Sequence, residues 1–241
     1  MPENLGENIH QKSNLLKTPE DAPKELWQRE VDGMHKAIHF VQRKVRGVEE
    51  GGIDCDDIFN IHKMVMNDPL NPEKTGRLRE VRVRVGLRIE GSMSQGVPPD
   101  THFLSEFFNE FSSKLEEKTQ NISIDSDAKE VLDLASWAHH RFIEIHPFED
   151  GNGRTARLIV DFIFRKARLP YIKDWGAASR EYQEVINKCF QQESSRPFRL
   201  FLAKKLFDRL VEVESQFSSR PSNAQSFLSY INGRINEVKD I

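Results

Sequence analysis

Apolar residues recur every three or four positions along most of this chain, and every second position in one short stretch. The segment LWQREVDGMHKAIHFVQRKV sets Leu26, Met34, Ile38 and Val41 on a loose stripe that predicts a helix. Thr18-Pro19-Glu20-Asp21 and Pro23 start it, and the EEGG at 49–52 stops it. DCDDIFNIHKMVMN aligns Ile58, Ile61, Met64 and Val65 in a second helix, closed by Pro69. After Pro98, the spacing of Phe103, Phe107, Phe111 and Leu115 predicts a single core-facing stripe. Ser126 is a capping residue for DAKEVLDLASWAHHRFIEI, whose Ala128, Val131, Leu132, Ala135, Ala138 and Phe142 form a continuous apolar face. Proline disfavours helix at the residue before it, so His146, preceding Pro147, is predicted just past that helix. Leu158, Ile159, Phe162 and Ile163 resume a helix that fades near Leu169-Pro170, and helical runs follow at about 177–190 and 197–217.

The exception is LREVRVRVGLRIEG. Val81, Val83 and Val85 alternate with Arg82 and Arg84, the period of a strand with one covered face. Gly86, Gly91 and Gly96 permit turns, which predicts a hairpin between about 80 and 97. Its arginines fit a solvated strand face first, and a contact with an anionic or extended polypeptide partner second. The expected architecture is mainly α with one small β-hairpin. It divides into a leader (1–20), a helical extension (21–52), a main domain (53–217) and a tail (218–241), polar at first and then weakly amphipathic.

Composition narrows the functional classes. A formal net charge of −3 over 241 residues gives no electrostatic reason to expect nucleic-acid or membrane binding. No helix-turn-helix segment or basic domain points to a DNA-binding regulator. No apolar run approaches the ~18 residues of a membrane helix; LIVDFIF is short and broken by Asp161. MPENLGENIHQKS lacks the apolar core of a signal peptide. Cys55 and Cys189 lie far apart and outside any CxxC motif, which suits a reducing compartment and a cytoplasmic location.

The chemistry concentrates in HPFEDGNGRTAR, His146 to Arg157. This stretch is a loop between two buried helices, with GNGR at the start of the second. A helix start offers unpartnered amide N–H groups and partial positive charge. Gly151 and Gly153 admit a ligand close to the main chain, so the turn is a seat for an anion such as phosphate. Arg154 and Arg157 crowd cations into that first turn, a conflict that a ligand anion would relieve. Asp150 offers the hard oxygen that Mg²⁺ takes when phosphates complete its shell. His146 is the group here whose unperturbed pKa lies close to neutrality, so it can remove a proton from a hydroxyl. Together these parts describe phosphoryl or nucleotidyl transfer.

Each part also has a plainer reading. A lone histidine after a helix serves as a structural hydrogen-bonder, a GNG as a turn, Glu149-Asp150 as a surface acidic pair, and Phe148 as a core anchor. A metallohydrolase built on His139, His140, Glu144, His146 and Asp150 lacks HExxH-type spacing and leaves GNGR unexplained.

HPFEDGNGRTAR resembles the signature of the Fic-domain family, HPFx(D/E)GNGRxxR, at every specified position. TGRLREVRV, VPP, AHHRFIEIHPF and REYQEVINKCF around it are similar too, so the likeness spans about residues 55–205. The resemblance implies a Fic-type helical bundle with a β-hairpin flap over the active-site loop. It implies transfer of AMP from ATP to a Ser, Thr or Tyr hydroxyl of a target protein, with release of pyrophosphate. His146 would be the general base and Asp150 the Mg²⁺ ligand. Gly151, Asn152 and Gly153 would surround the phosphates, Arg154 would hold the β- and γ-phosphates, and Arg157 the γ-phosphate or an inhibitory glutamate. Val83, Arg84, Val85, Gly86 and Leu87 would form the flap that aligns the target by strand addition. Tyr182 would lie near the nucleotide. A donor change to another nucleotide or CDP-choline, AMP removal, and a non-catalytic ATP sensor all fit the same residues. The family's inhibitory (S/T)xxxE(G/N) is missing in strict form. That leaves a separate antitoxin-like inhibitor, a degenerate element such as Glu50-Gly51, or no inhibition.

Overall fold

The stripes become eight α-helices among the residues described by the computed structural model, which are 24–46, 51–68, 71–83, 85–86, 95–96, 98–177, 179–217 and 225–239. In order these are α1 Lys24–Arg46, α2 Cys55–Met66, α3 Thr101–Gln120, α4 Ala128–Ile145, α5 Asn152–Lys166, α6 Arg180–Gln192, α7 Arg196–Phe217 and α8 Gln225–Lys239. The protein is mainly α. The sequence-predicted leader and Glu50 of the Glu50-Gly51 element lie outside the described residues.

α4 and α5 are central because both are apolar nearly all round. Val131, Leu132, Ala135, Ala138 and Phe142 of α4 are fully buried, as are Ile159, Val160, Ile163 and Phe164 of α5. A helix with so wide an apolar surface needs cover on several sides. α3, α6, α7 and α8 pack on α4, while α1 and α2 pack on α5. Ala37 and Val41 place α1 in the same apolar core as the rest. Each fully buried Leu, Ile or Phe contributes about 1.5–3 kcal/mol relative to exposure.

Three helical details differ from the sequence reading. α3 buries Leu104, Phe108, Phe111 and Leu115, whereas Phe103 is 52% exposed. A strict spacing of four precesses around a 3.6-residue turn, so the residue seven before Phe111, not eight, shares its face. The cap of α4 is Asp127, which accepts from the Lys129 amide, while Ser126 Oγ accepts from Ser123 N. α2 ends at Asn67 in the left-handed conformation, ahead of Pro69.

In the hairpin region, Val85–Gly86 pairs antiparallel with Gln95–Gly96, Val85 opposite Gly96. Arg84 and Leu87 lie outside the described residues. The tail is part of the packing. Arg234 of α8 is buried and donates to the Ser126 carbonyl at 2.7 Å and to that of Ile124, and Glu237 accepts from Ala128 N at 3.0 Å. Among the described residues no helix is long and apolar enough to cross a membrane.

Candidate active site

The chain leaves α4 through His146, which takes left-handed angles (φ 48°, ψ 61°) while its N–H still bonds the Phe142 carbonyl at 2.9 Å. Such angles are uncommon for a residue other than glycine, and Pro147 disfavours the helical alternative. Phe148 follows as a plug, fully buried among Phe59, Phe108 and Phe142 with ring centroids 5.9–6.4 Å away. Asn152 clips the turn from within. Its Nδ2 donates to Phe148 O at 2.8 Å and its Oδ1 accepts from Phe148 N at 3.0 Å. The Asn152 side chain is thus committed to the loop, and its backbone amide is what stands at the helix start.

The N-cap of α5 is Gly151 (φ 76°), which offers no side-chain cap, unlike α2, α3, α4 and α6, which are capped by Asp54, Asp100, Asp127 and Ser179. The first amides of α5 have no acceptor within the helix, and no capping oxygen covers them. An added Cβ at Gly151 would come within 2.7 Å of Met66 Sδ and 3.2 Å of the His62 ring.

Two residues that sequence reasoning passed over hold this loop from outside. His62 of α2 stacks on Phe148 at 3.6 Å and bonds the Asp150 carbonyl through Nε2 at 3.0 Å. Its Nδ1 accepts from Gly76 N at 2.9 Å, which assigns the proton to Nε2. Burial lowers its pKa to about 4, so it is neutral at pH 7. Arg79 donates Nε to the His146 carbonyl at 2.8 Å, and its backbone N–H bonds the Pro147 carbonyl at 2.8 Å. The carbonyls of 146, 147, 148 and 150 are thereby all engaged. The only local signal for His62 was its place among Ile58, Ile61 and Val65 on the buried face of α2.

Burial likewise lowers the His146 pKa to about 4. The Ile143 carbonyl opposes that shift and Arg79 adds to it. Its Nδ1 is buried without a well-formed hydrogen bond. Asp150 is half-exposed, its Oδ1 accepting from Gly151 N at 2.6 Å and lying 4.0 Å from Arg154 Nη2. Glu149 faces Lys74 at 3.4 Å. Arg154 meets Glu30 of α1 at 3.7 Å and the Val65 carbonyl at 3.5 Å. Glu30 is therefore the carboxylate that α1 brings to the motif, a contact with no local sequence signal.

Arg157 is part-buried, its Nη1 3.3 Å from where a Cβ on Gly153 would stand. It hydrogen-bonds Tyr182, whose hydroxyl also meets His139 Nε2 at 2.9 Å. Tyr182 is buried, so its connection to the site runs through Arg157. His139 and His140 turn to different partners, Tyr182 and Glu144, rather than converging with His146. Among the described residues no cluster of three His, Cys, Asp or Glu side chains forms a metal cage.

Comparison with known proteins agrees with this geometry. Residues 52–164 match the model of the Fic/DOC family. A protein adenylyltransferase Fic from Nematostella vectensis is 31% identical over 179 residues, 74% of this chain and 38% of that protein. A uridine 5'-monophosphate transferase from Xanthomonas campestris is 33% identical over 139 residues, 55% of this chain and 25% of that protein. The chain thus spans 38% or less of the length of these curated relatives. The structure of Fic-1 (residues 134–508) from C. elegans superposes with a TM-score of 0.65 at 23% identity, covering 85% of this chain and 56% of that one, a likeness of fold. Residues 52–164 thus form a Fic domain, and the chain is a Fic (Fido) domain protein.

Proposed function

We propose that this protein is an AMP transferase, moving AMP from ATP to a Ser, Thr or Tyr hydroxyl of a target protein and releasing pyrophosphate. One observation carries the reading. The loop's carbonyls are engaged by Arg79, Asn152 and His62, so the start of α5 offers amides and arginine beside a neutral imidazole. The name of the Nematostella relative, a protein adenylyltransferase, supports it.

In the proposed reaction the polyphosphate lies against the backbone of Gly151, Asn152 and Gly153, where the helix start favours negative charge. Arg154 binds the β- and γ-phosphates in exchange for Glu30. Arg157 holds the γ-phosphate, oriented by Tyr182. His146 is in its proton-accepting form at pH 7 and takes the target hydroxyl's proton; phosphate charge beside it raises its basicity. The hydroxyl oxygen attacks the α-phosphorus, and the bond to the β-phosphate oxygen breaks. Asp150 suits Mg²⁺, which needs few protein ligands when phosphates and water fill its shell. When bound, the ion neutralises charge on the leaving phosphates. Val83 to Leu87 align the target segment as a flap. Two free cysteines suit a reducing, cytoplasmic setting, and a small antitoxin-like protein remains a fitting inhibitor.

The test is incubation with labelled ATP, Mg²⁺ and a lysate, followed by mass spectrometry of labelled proteins. His146→Ala is expected to lower labelling by at least about 10²-fold with the fold intact. Unchanged labelling by that variant removes His146 from the mechanism. The Xanthomonas relative's name favours a second reading, a UMP donor, so labelled UTP and CDP-choline belong in the same panel.

A further inference from the structure

Arg79 is 4% exposed, yet among the described residues no carboxylate lies within ion-pairing distance of its guanidinium. Three backbone carbonyls from three separate stretches hold it instead. Nε reaches His146 at 2.8 Å, Nη1 reaches Val81 at 2.9 Å and Nη2 reaches Pro99 at 2.7 Å. Desolvation lowers its pKa and nearby Asp100 opposes the shift, but a guanidinium stays charged in proteins. A buried cation satisfied only by carbonyls is a costly way to fill space. What it achieves here is geometric.

Val81 and Pro99 flank the stretch that carries the Val85–Gly86 and Gln95–Gly96 pairing, and His146 is the proposed base. One planar fork therefore joins both roots of the hairpin to the backbone of the residue that accepts the proton. Arg82 adds a second tie at the roots through its ion pair with Asp100, the cap of α3. His146 also needs holding for its own sake, because left-handed angles are strained for a non-glycine residue.

We infer that Arg79 is a positioning residue, whose three-way grip fixes the spacing between His146 and the hairpin on which the target hydroxyl is presented. The inference rests on the transfer reaction proposed above and deepens it. Arg79 holds the target side of the site. The nucleotide side is built by α5 and its arginines, and among the described residues the Arg79 guanidinium donates to His146, Val81 and Pro99 rather than to α5. Lysine at this position keeps a charge but cannot direct three donors along fixed lines. Displacement of reacting groups by about 1 Å is enough to cost roughly 10²-fold in rate.

The experiment compares Arg79→Lys with the wild-type full chain in three measurements. These are ATP affinity by calorimetry, kcat and KM for a labelled protein target, and hydrogen exchange of peptides spanning 76–83 and 144–152. The expected result is ATP affinity within about twofold, kcat lowered about 10- to 100-fold, and faster exchange in both peptides. A wild-type kcat overturns the inference. So does equal loss of ATP affinity and kcat, which marks a general structural role. If the wild-type chain binds ATP but labels no protein, the transfer reading fails by itself. The grip is then judged on exchange alone, and wild-type protection in the Lys variant overturns it.

Discussion

The α4–α5 loop and the hairpin stretch form the two sides of the proposed site, and they are held in opposite ways. The loop is built into the core. Phe148 is fully buried, His62 lies flat against it, and four consecutive-region carbonyls at 146, 147, 148 and 150 have donors. The described residues of the hairpin stretch are held less deeply. Val81 is 49% exposed and the Arg82 side chain 84% exposed, and the described pairing is two residues long. The contrast suits the proposed division of labour. A base and a phosphate seat demand fixed geometry for every turnover, whereas a surface that accepts a partner's backbone must present open edges.

The comparison can be attacked first at His62. His62→Ala removes a stacked ring and the hydrogen bonds it makes to the Gly76 amide and the Asp150 carbonyl, a loss of roughly 3–5 kcal/mol. Chemical denaturation measures it, and a loss no larger than that of a surface substitution would show the loop to be self-supporting. Acid probes the same side. The folded pKa values of His62 and His146 are both about 4, below the unfolded value near 6.5. Between these values the unfolded chain binds more protons, so stability falls as pH falls from 6.5 to 4, by about 3 kcal/mol for each ring. His62→Gln is expected to flatten that slope by one ring's share, read as Tm against pH relative to wild type; an unaltered slope contradicts the assigned neutral state.

Gly151→Ala comes next. Its positive φ and the crowding by Met66 and His62 predict a loss of about 1–3 kcal/mol and impaired nucleotide binding, both measurable by thermal shift with and without ATP. The smallest effect belongs to the hairpin side. Arg82→Ala breaks an exposed ion pair and leaves the Asp100 cap of α3 intact, so Tm should not change measurably. A large drop would mean that the hairpin roots are as deeply built in as the loop.

How far the sequence could be read depended on the range of the interaction. α4 was legible because one continuous apolar face, a following proline and 3.6-residue periodicity are all local. HPFEDGNGRTAR was legible because its anion seat lies within one turn and the start of a helix. Phe103 misled because a spacing of four approximates a helical face only over two turns. Arg79 stayed hidden beside Arg82 and Arg84, since nothing in LREVRVRV distinguishes a buried arginine from an exposed one.

By itself, then, the sequence determined the helical framework and the chemical groups of the loop, both set by residues within a few positions of one another. Tertiary structure alone decided which groups hold that chemistry in place. His62 meets Asp150 across 88 residues, Arg79 meets His146 across 67, and α1 carries Glu30 to Arg154. Such contacts arise only when helices pack, because a carbonyl's partner is chosen by which buried donor the fold brings within reach.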